Sequence, residues 1–144
     1  MKKNLITSTV FLAVGMAFGV FYREFTKFNG FTGRTALAFA HPHLLVLGCL
    51  LFLFLALVLK NDEIVRSKKF KWFYYLQIVG LSGTAIMMAV RGIFQVLGTS
   101  LSSGVDSMIS GIAGVFHVTL AAGLIMLFVS LFDMVKNKEA KEKA

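Results

Sequence analysis

The chain predicts an all-α membrane protein, a transmembrane four-helix bundle. Three observations carry that expectation: its composition, four apolar stretches of spanning length, and the clustering of positive charge between them. Of 144 residues, 57% are hydrophobic and 15% charged, with a mean hydropathy of +0.77. A soluble domain runs at about 45–50% apolar and about 25% charged residues. The net charge of +8 could suggest nucleic acid, but that requires one soluble basic patch, and here the basic residues sit between apolar runs. No nucleic-acid partner is expected. One proline and thirteen glycines exclude collagen-like and disordered classes, and a single cysteine excludes a disulfide framework. Cys49 lies in an apolar run and reads as a small buried hydrophobe.

The spans fall at about 5–22, 36–59, 72–98 and 112–135. Each approaches or exceeds the roughly 20 helical residues that cross a hydrocarbon core of about 30 Å. Barrel strands would alternate in polarity over about ten residues, and Leu44 to Leu59 does not alternate. The first span follows Lys2 and Lys3 as a secretory signal would, yet no small-x-small cleavage site precedes Tyr22, so it is read as retained. The second ends at an inner loop, Lys60 to Lys71. The third opens with Trp72, Tyr74 and Tyr75, aromatic rings suited to the inner headgroup level. The outer segments, Arg23 to Thr35 and Thr99 to Gly111, carry turn signals or are rich in Ser and Gly. The fourth span passes into a charged tail, 136–144, read as its solvated end.

These short connections leave one membrane domain, 1–144. Lys2, Lys3, Lys60, Arg66, Lys68, Lys69, Lys71, Lys136, Lys138, Lys141 and Lys143 share one side, against Arg23, Lys27 and Arg34 on the other. Positive flanks stay inside, so both termini are expected in the cytoplasm of a bacterial inner-membrane, multi-pass protein.

Ionisable side chains in a span are costly and mark candidate sites. Here they are His41, His43, Arg91 and His117. Counted from the outer ends of the assigned spans, all four fall about five to seven residues deep, one layer roughly 8 to 11 Å below the boundary. Imidazoles suit haem iron, copper or zinc. Arg91 points to an anion, because a permanently charged guanidinium pairs with carboxylates and no acid within the spans competes for it. Haem, with its propionates, satisfies both demands.

His41-Pro42-His43 sharpens this. Residues two apart on a helix stand about 200° apart around the axis, so the two rings point to nearly opposite faces and do not share one metal. They read as half-sites facing different neighbours; within one chain, one of them could meet His117, while the other would have nothing ionisable to meet. A head-to-tail ring of copies, His41 of one facing His43 of the next, would complete each site. Two axial imidazoles favour electron transfer over gas binding. Gly15, Gly19, Gly80, Gly83, Gly111 and Gly114 offer close helix packing.

The stretch Ala40-His41-Pro42-His43-Leu44-Leu45-Val46-Leu47-Gly48 resembles the His-x-His helix of the haem-copper oxidase main subunit, whose twelve helices form three pseudo-equivalent four-helix units. The whole length also looks like a small uncharacterised four-helix membrane family of bacteria. The oxidase resemblance covers about a dozen residues. It implies a low-spin haem held by His43 of one chain and His41 of the next, three such sites in a homotrimer, and Arg91 beside the propionates; no Cys-x-x-Cys-His is present, so a non-covalent, b-type haem is expected. Pro42 departs from the motif, and neither a copper histidine cluster nor a recognisable proton route is present, so oxygen reduction is not expected. His117 has no counterpart and stays open as a ligand, a hydrogen-bond partner or a solvated residue.

The leading expectation is therefore a haem protein for electron transfer or haem handling, surrounded by membrane lipid and exchanging electrons with a redox partner or quinone. The alternative is a small transporter or a copper- or zinc-binding protein that uses the same histidines. A third reading makes the chain a structural or sensing subunit.

Overall fold

The computed structural model describes residues 1–59 and 63–142 and contains no strand among them. The helices are α1 (Lys2–Phe28), α2 (Leu37–His43), a π-helical stretch (Leu44–Leu50), α3 (Leu51–Val58), a short 3-10 turn (Glu63–Arg66), α4 (Lys68–Val96) and α5 (Ser103–Glu142). From α2 to α3 the chain is one continuous apolar rod, Leu37–Val58. This second span and α1, α4 and α5 are the four helices long and apolar enough to cross a membrane. Of the expected inner loop and tail, residues 60–62 and 143–144, including Lys60 and Lys143, lie outside the described residues.

Every helix except the second span runs past its apolar stretch. Helix α1 continues through Arg23 to Phe28, where the Asn29 side chain donates to Phe25 O and Gly30 turns the chain at φ 58°. Helix α4 starts at Lys68 because the Ser67 hydroxyl accepts from Phe70 N, and it ends before Gly98, φ 63°. Helix α5 starts nine residues before the expected span: the Ser102 carbonyl accepts from Asp106 N, and Asp106 places an acid in the first turn. At 40 residues it is about 60 Å long, twice the thickness of a hydrocarbon core.

The helices stand in a row. Helix α1 packs on the second span, the second span also packs on α4, and α4 carries α5 on its other side. Close approach is set by glycines. A Cβ at Gly80 would lie 2.5 Å from Leu120 N, at Gly83 2.1 Å from the Phe116 ring, and at Gly92 2.3 Å from Leu37 N. Such backbone proximity is what holds membrane helices, since lipid tails remove the aqueous driving force. Gly15 packs against Leu45 as expected, but Gly111 and Gly114 face open space. That expectation is corrected: the sequence placed both on the inside of a bundle, whereas α5 turns them away from α4.

Stacked and tilted rings, Phe11 on Phe52 and Phe52 on Phe73, fill the centre of the row. Cys49 is buried as expected, its carbonyl accepting from Ser8 Oγ at 2.8 Å. Of the three aromatic residues that open the third span, Trp72 and Tyr75 are exposed, but Tyr74 is buried and its hydroxyl lies 2.5 Å from Thr7 Oγ1. Lys3 sits over the Tyr74 ring, and Lys69 pairs with Asp133 at 2.6 Å. These contacts bring the described basic residues at the start of α1, the start of α4 and the end of α5 to one end of the molecule.

Candidate functional site

Pro42 cannot donate a backbone hydrogen bond, and the π-helical stretch begins two residues later. A π turn re-registers the carbonyls. Gln77, fully buried on α4, donates from Nε2 to one of them, Leu47 O, at 3.0 Å. His41 and His43 immediately precede this stretch.

His41 and His43 diverge as their spacing predicts. His41 turns toward α1 of its own chain, next to Gly19 and stacked on Tyr22 with ring centroids 6.3 Å apart; its Nδ1 is buried without a partner. The neighbour that His41 meets in the single chain is therefore α1. His43 is half-buried, and its Nδ1 lies 2.8 Å from Phe39 O. His117, exposed on α5, repeats that geometry, with Nδ1 2.8 Å from Ala113 O. A carbonyl only accepts, so in both rings Nδ1 carries a proton, and in the neutral imidazole Nε2 is then the acceptor nitrogen. This is the tautomer of a metal-ligating histidine whose second nitrogen is anchored to a backbone carbonyl.

Arg91 is not waiting for an outside anion alone. Its Nη2 lies 2.7 Å from Asp106 Oδ1 and 2.7 Å from Ser110 Oγ. The sequence placed Asp106 in a loop; in α5 it reaches back over α4 and pairs with Arg91, which corrects the expectation that no acid competes. These bonds use one terminal nitrogen of a group with five N–H donors, so capacity for a carboxylate remains. A cleft of about 430 Å³ adjoins the pair, lined by Phe94, Gln95, Thr99 and Leu101 among others.

The four side chains do not share one layer. Leu37 lies against Gly92 and Leu120 against Gly80, which ranks depths along α4. His43 is level with about residue 86, His41 with about residue 88, and His117 with about residue 83. Arg91 is farthest from the end that carries the basic clusters, about 12 Å from the His117 level. His117 is displaced because its depth was counted from Ile112 as the outer end of the fourth span, and the helix begins at Ser103. Among the described residues no three His, Cys, Asp or Glu side chains converge on one point.

Sequence reasoning missed Asp106, Ser110 and Gln77 as partners in this region. Only Asp106, an acid three residues into a helix, left a recoverable signal.

No curated protein and no solved structure matches the chain, so no similarity to the haem-copper oxidases is shown. A family model does match, over residues 1–134: the chain belongs to the family described as protein of unknown function, DUF2871.

Proposed function

We propose that the protein is a multi-pass haem protein of the bacterial inner membrane, with both termini cytoplasmic. A b-type haem is bound without covalent attachment between copies of a homotrimer, with two axial imidazoles, and serves electron transfer or haem handling. One observation carries this reading: His43 and His117 each donate Nδ1–H to the carbonyl four residues earlier and present a free Nε2. An imidazole exposed within a span is costly unless something covers it.

The donor set fits haem better than a bare ion. Haem asks the protein for one or two axial nitrogens, whereas a structural zinc takes four ligands and a catalytic zinc three. Within the chain no such group of three forms among the described residues. Copper or zinc transport by the same histidines would have to gather its ligands from several chains. Arg91, with donors to spare beside Asp106, suits a propionate. When bound, haem would supply a one-electron carrier, and imidazole nitrogens such as those of His43 and His117 would hold it. The termini are assigned to the cytoplasm because the described basic clusters share one end. A quinone or a redox protein would be the exchange partner.

An absorption spectrum of the purified protein tests the proposal. Sharp reduced bands of a six-coordinate haem are expected, together with one haem per chain. A colourless protein that binds copper or zinc instead would replace this reading with the transporter.

A further inference from the structure

We propose that the face between α1 and α4 binds a net-anionic phospholipid, its headgroup beside Lys68 and Lys71 and one acyl chain along the apolar groove that continues from them. The proposal rests on the membrane placement above and is independent of the haem.

The headgroup end is a cleft of about 330 Å³ lined by Lys68, Lys71, Trp72 and Tyr75. Neither ammonium group of the cleft forms an ion pair among the described residues, whereas Lys69, between them in sequence, is taken by Asp133. A third cation adjoins, since Lys3 Nζ lies 5.2 Å from the centre of the Tyr75 ring. No carboxylate of the described residues lines the cleft. The N-terminus of α4, the positive end of its dipole, begins at Lys68. Clustered lysines at a helix end attract anionic headgroups, and exposed Trp and Tyr rings settle at the same level.

The acyl end is a groove of about 420 Å³ whose walls include Ile6, Val10 and Val14 of α1 and Ile78, Ser82 and Ile86 of α4. The second span packs on both helices and contributes the buried Leu44. At 3.6 residues per turn, Lys68, Lys71, Tyr75, Ile78, Ser82 and Ile86 fall within about 80° of arc on α4, and Lys3, Ile6, Val10 and Val14 within about 80° on α1. Cleft and groove therefore lie end to end on one face.

Size decides between a lipid chain and a second copy. From Ile6 to Phe18 the groove follows α1 for about 18 Å, against roughly 15 Å for the depth of one leaflet. Over that length 420 Å³ leaves a cross-section of about 23 Å², the girth of one hydrocarbon chain, while a helix about 10 Å across fills about 80 Å². The width selects an acyl chain, and the unpaired lysines select an anionic headgroup over a zwitterionic one.

Trp72 is the one tryptophan of the chain and lines the cleft, so its fluorescence reports occupancy. The test places the full-length protein in phosphatidylcholine vesicles and replaces the host lipid with dibrominated phosphatidylglycerol or dibrominated phosphatidylcholine, whose bromines quench a neighbouring indole. Phosphatidylglycerol should bind about tenfold more tightly at low salt, and Lys68→Gln with Lys71→Gln should bring that ratio below about threefold with an unchanged circular dichroism spectrum. Ser82→Phe fills the groove beside an intact lysine pair and should weaken phosphatidylglycerol binding severalfold. Equal quenching of the wild-type protein by both lipids overturns the headgroup site. Undiminished phosphatidylglycerol binding in Ser82→Phe overturns the acyl groove, and relief of quenching by inorganic phosphate overturns the lipid in favour of a free anion. Quenching that falls as more protein is packed into each vesicle overturns it in favour of a second copy. No quenching by either lipid overturns the membrane placement itself.

Discussion

Arg91 and Asp106 join the C-terminal end of α4 to the N-terminal end of α5: Nη2 and Oδ1 are 2.7 Å apart, and Ser110 Oγ lies at the same distance from the same nitrogen. The side chains are 34% and 56% exposed, so solvent screening keeps the pair's contribution below about 1 kcal/mol. Arg91→Ala should therefore shift the thermal midpoint in detergent only slightly. Its larger effect should fall on haem affinity. Asp106→Asn should retain haem, since it leaves the guanidinium in place and releases it from a competing carboxylate. Equal haem loss in both variants would assign the pair a purely structural role.

Close packing of α4 on α5 depends on Gly80 and Gly83. An alanine at Gly80 would drive its Cβ to 2.5 Å from Leu120 N, a backbone atom that cannot rotate away. Gly80→Ala should destabilise the fold by about 1–3 kcal/mol. Gly111→Ala meets nothing within 4 Å and gains helix propensity, so unfolding followed by circular dichroism should find it neutral or slightly stabilised.

Gln77 satisfies the Leu47 carbonyl in the π-helical stretch, although its own Oε1 lacks a partner among the described residues. Gln77→Leu removes that donor and leaves a buried carbonyl unpaired, at a cost of about 1–3 kcal/mol. The expected signature is faster amide exchange over Leu44–Leu50 than over α3. Unchanged exchange there would mean that the π turn is held by Pro42 alone.

Tyr74 and Thr7 connect α4 to α1 through hydroxyls 2.5 Å apart, and Thr7 also donates to Lys3 O at 3.0 Å. Tyr74→Phe should cost about 1 kcal/mol. Because the two hydroxyls act as one unit, adding Thr7→Val should cost less than the sum of the separate changes.

What could be read from the sequence follows from which forces leave a local trace. Apolar length located the four spans, and the spacing of His41 and His43 predicted their divergence. The start of α5 was lost because Ser and Gly between Thr99 and Gly111 resemble a loop, whereas Ser102 caps a helix there. That single error moved His117 outward in depth and left Asp106 outside the site. The row arrangement was also hidden: whether a glycine faces a neighbouring helix, as Gly83 does, or open space, as Gly114 does, depends on partners far along the chain. Tyr74 illustrates the same limit, an interfacial aromatic by position that α1 buries by contact.

The most direct measurement is the number of haem molecules bound per chain at saturation, taken from a haemin titration in lipid nanodiscs and followed at the reduced bands. A head-to-tail ring has one interface per chain, so binding should saturate at about one haem per chain with the spectrum of paired imidazoles. Non-saturable uptake, or a five-coordinate spectrum unaffected by His43→Ala and His117→Ala, would contradict a bis-imidazole site built by neighbouring copies.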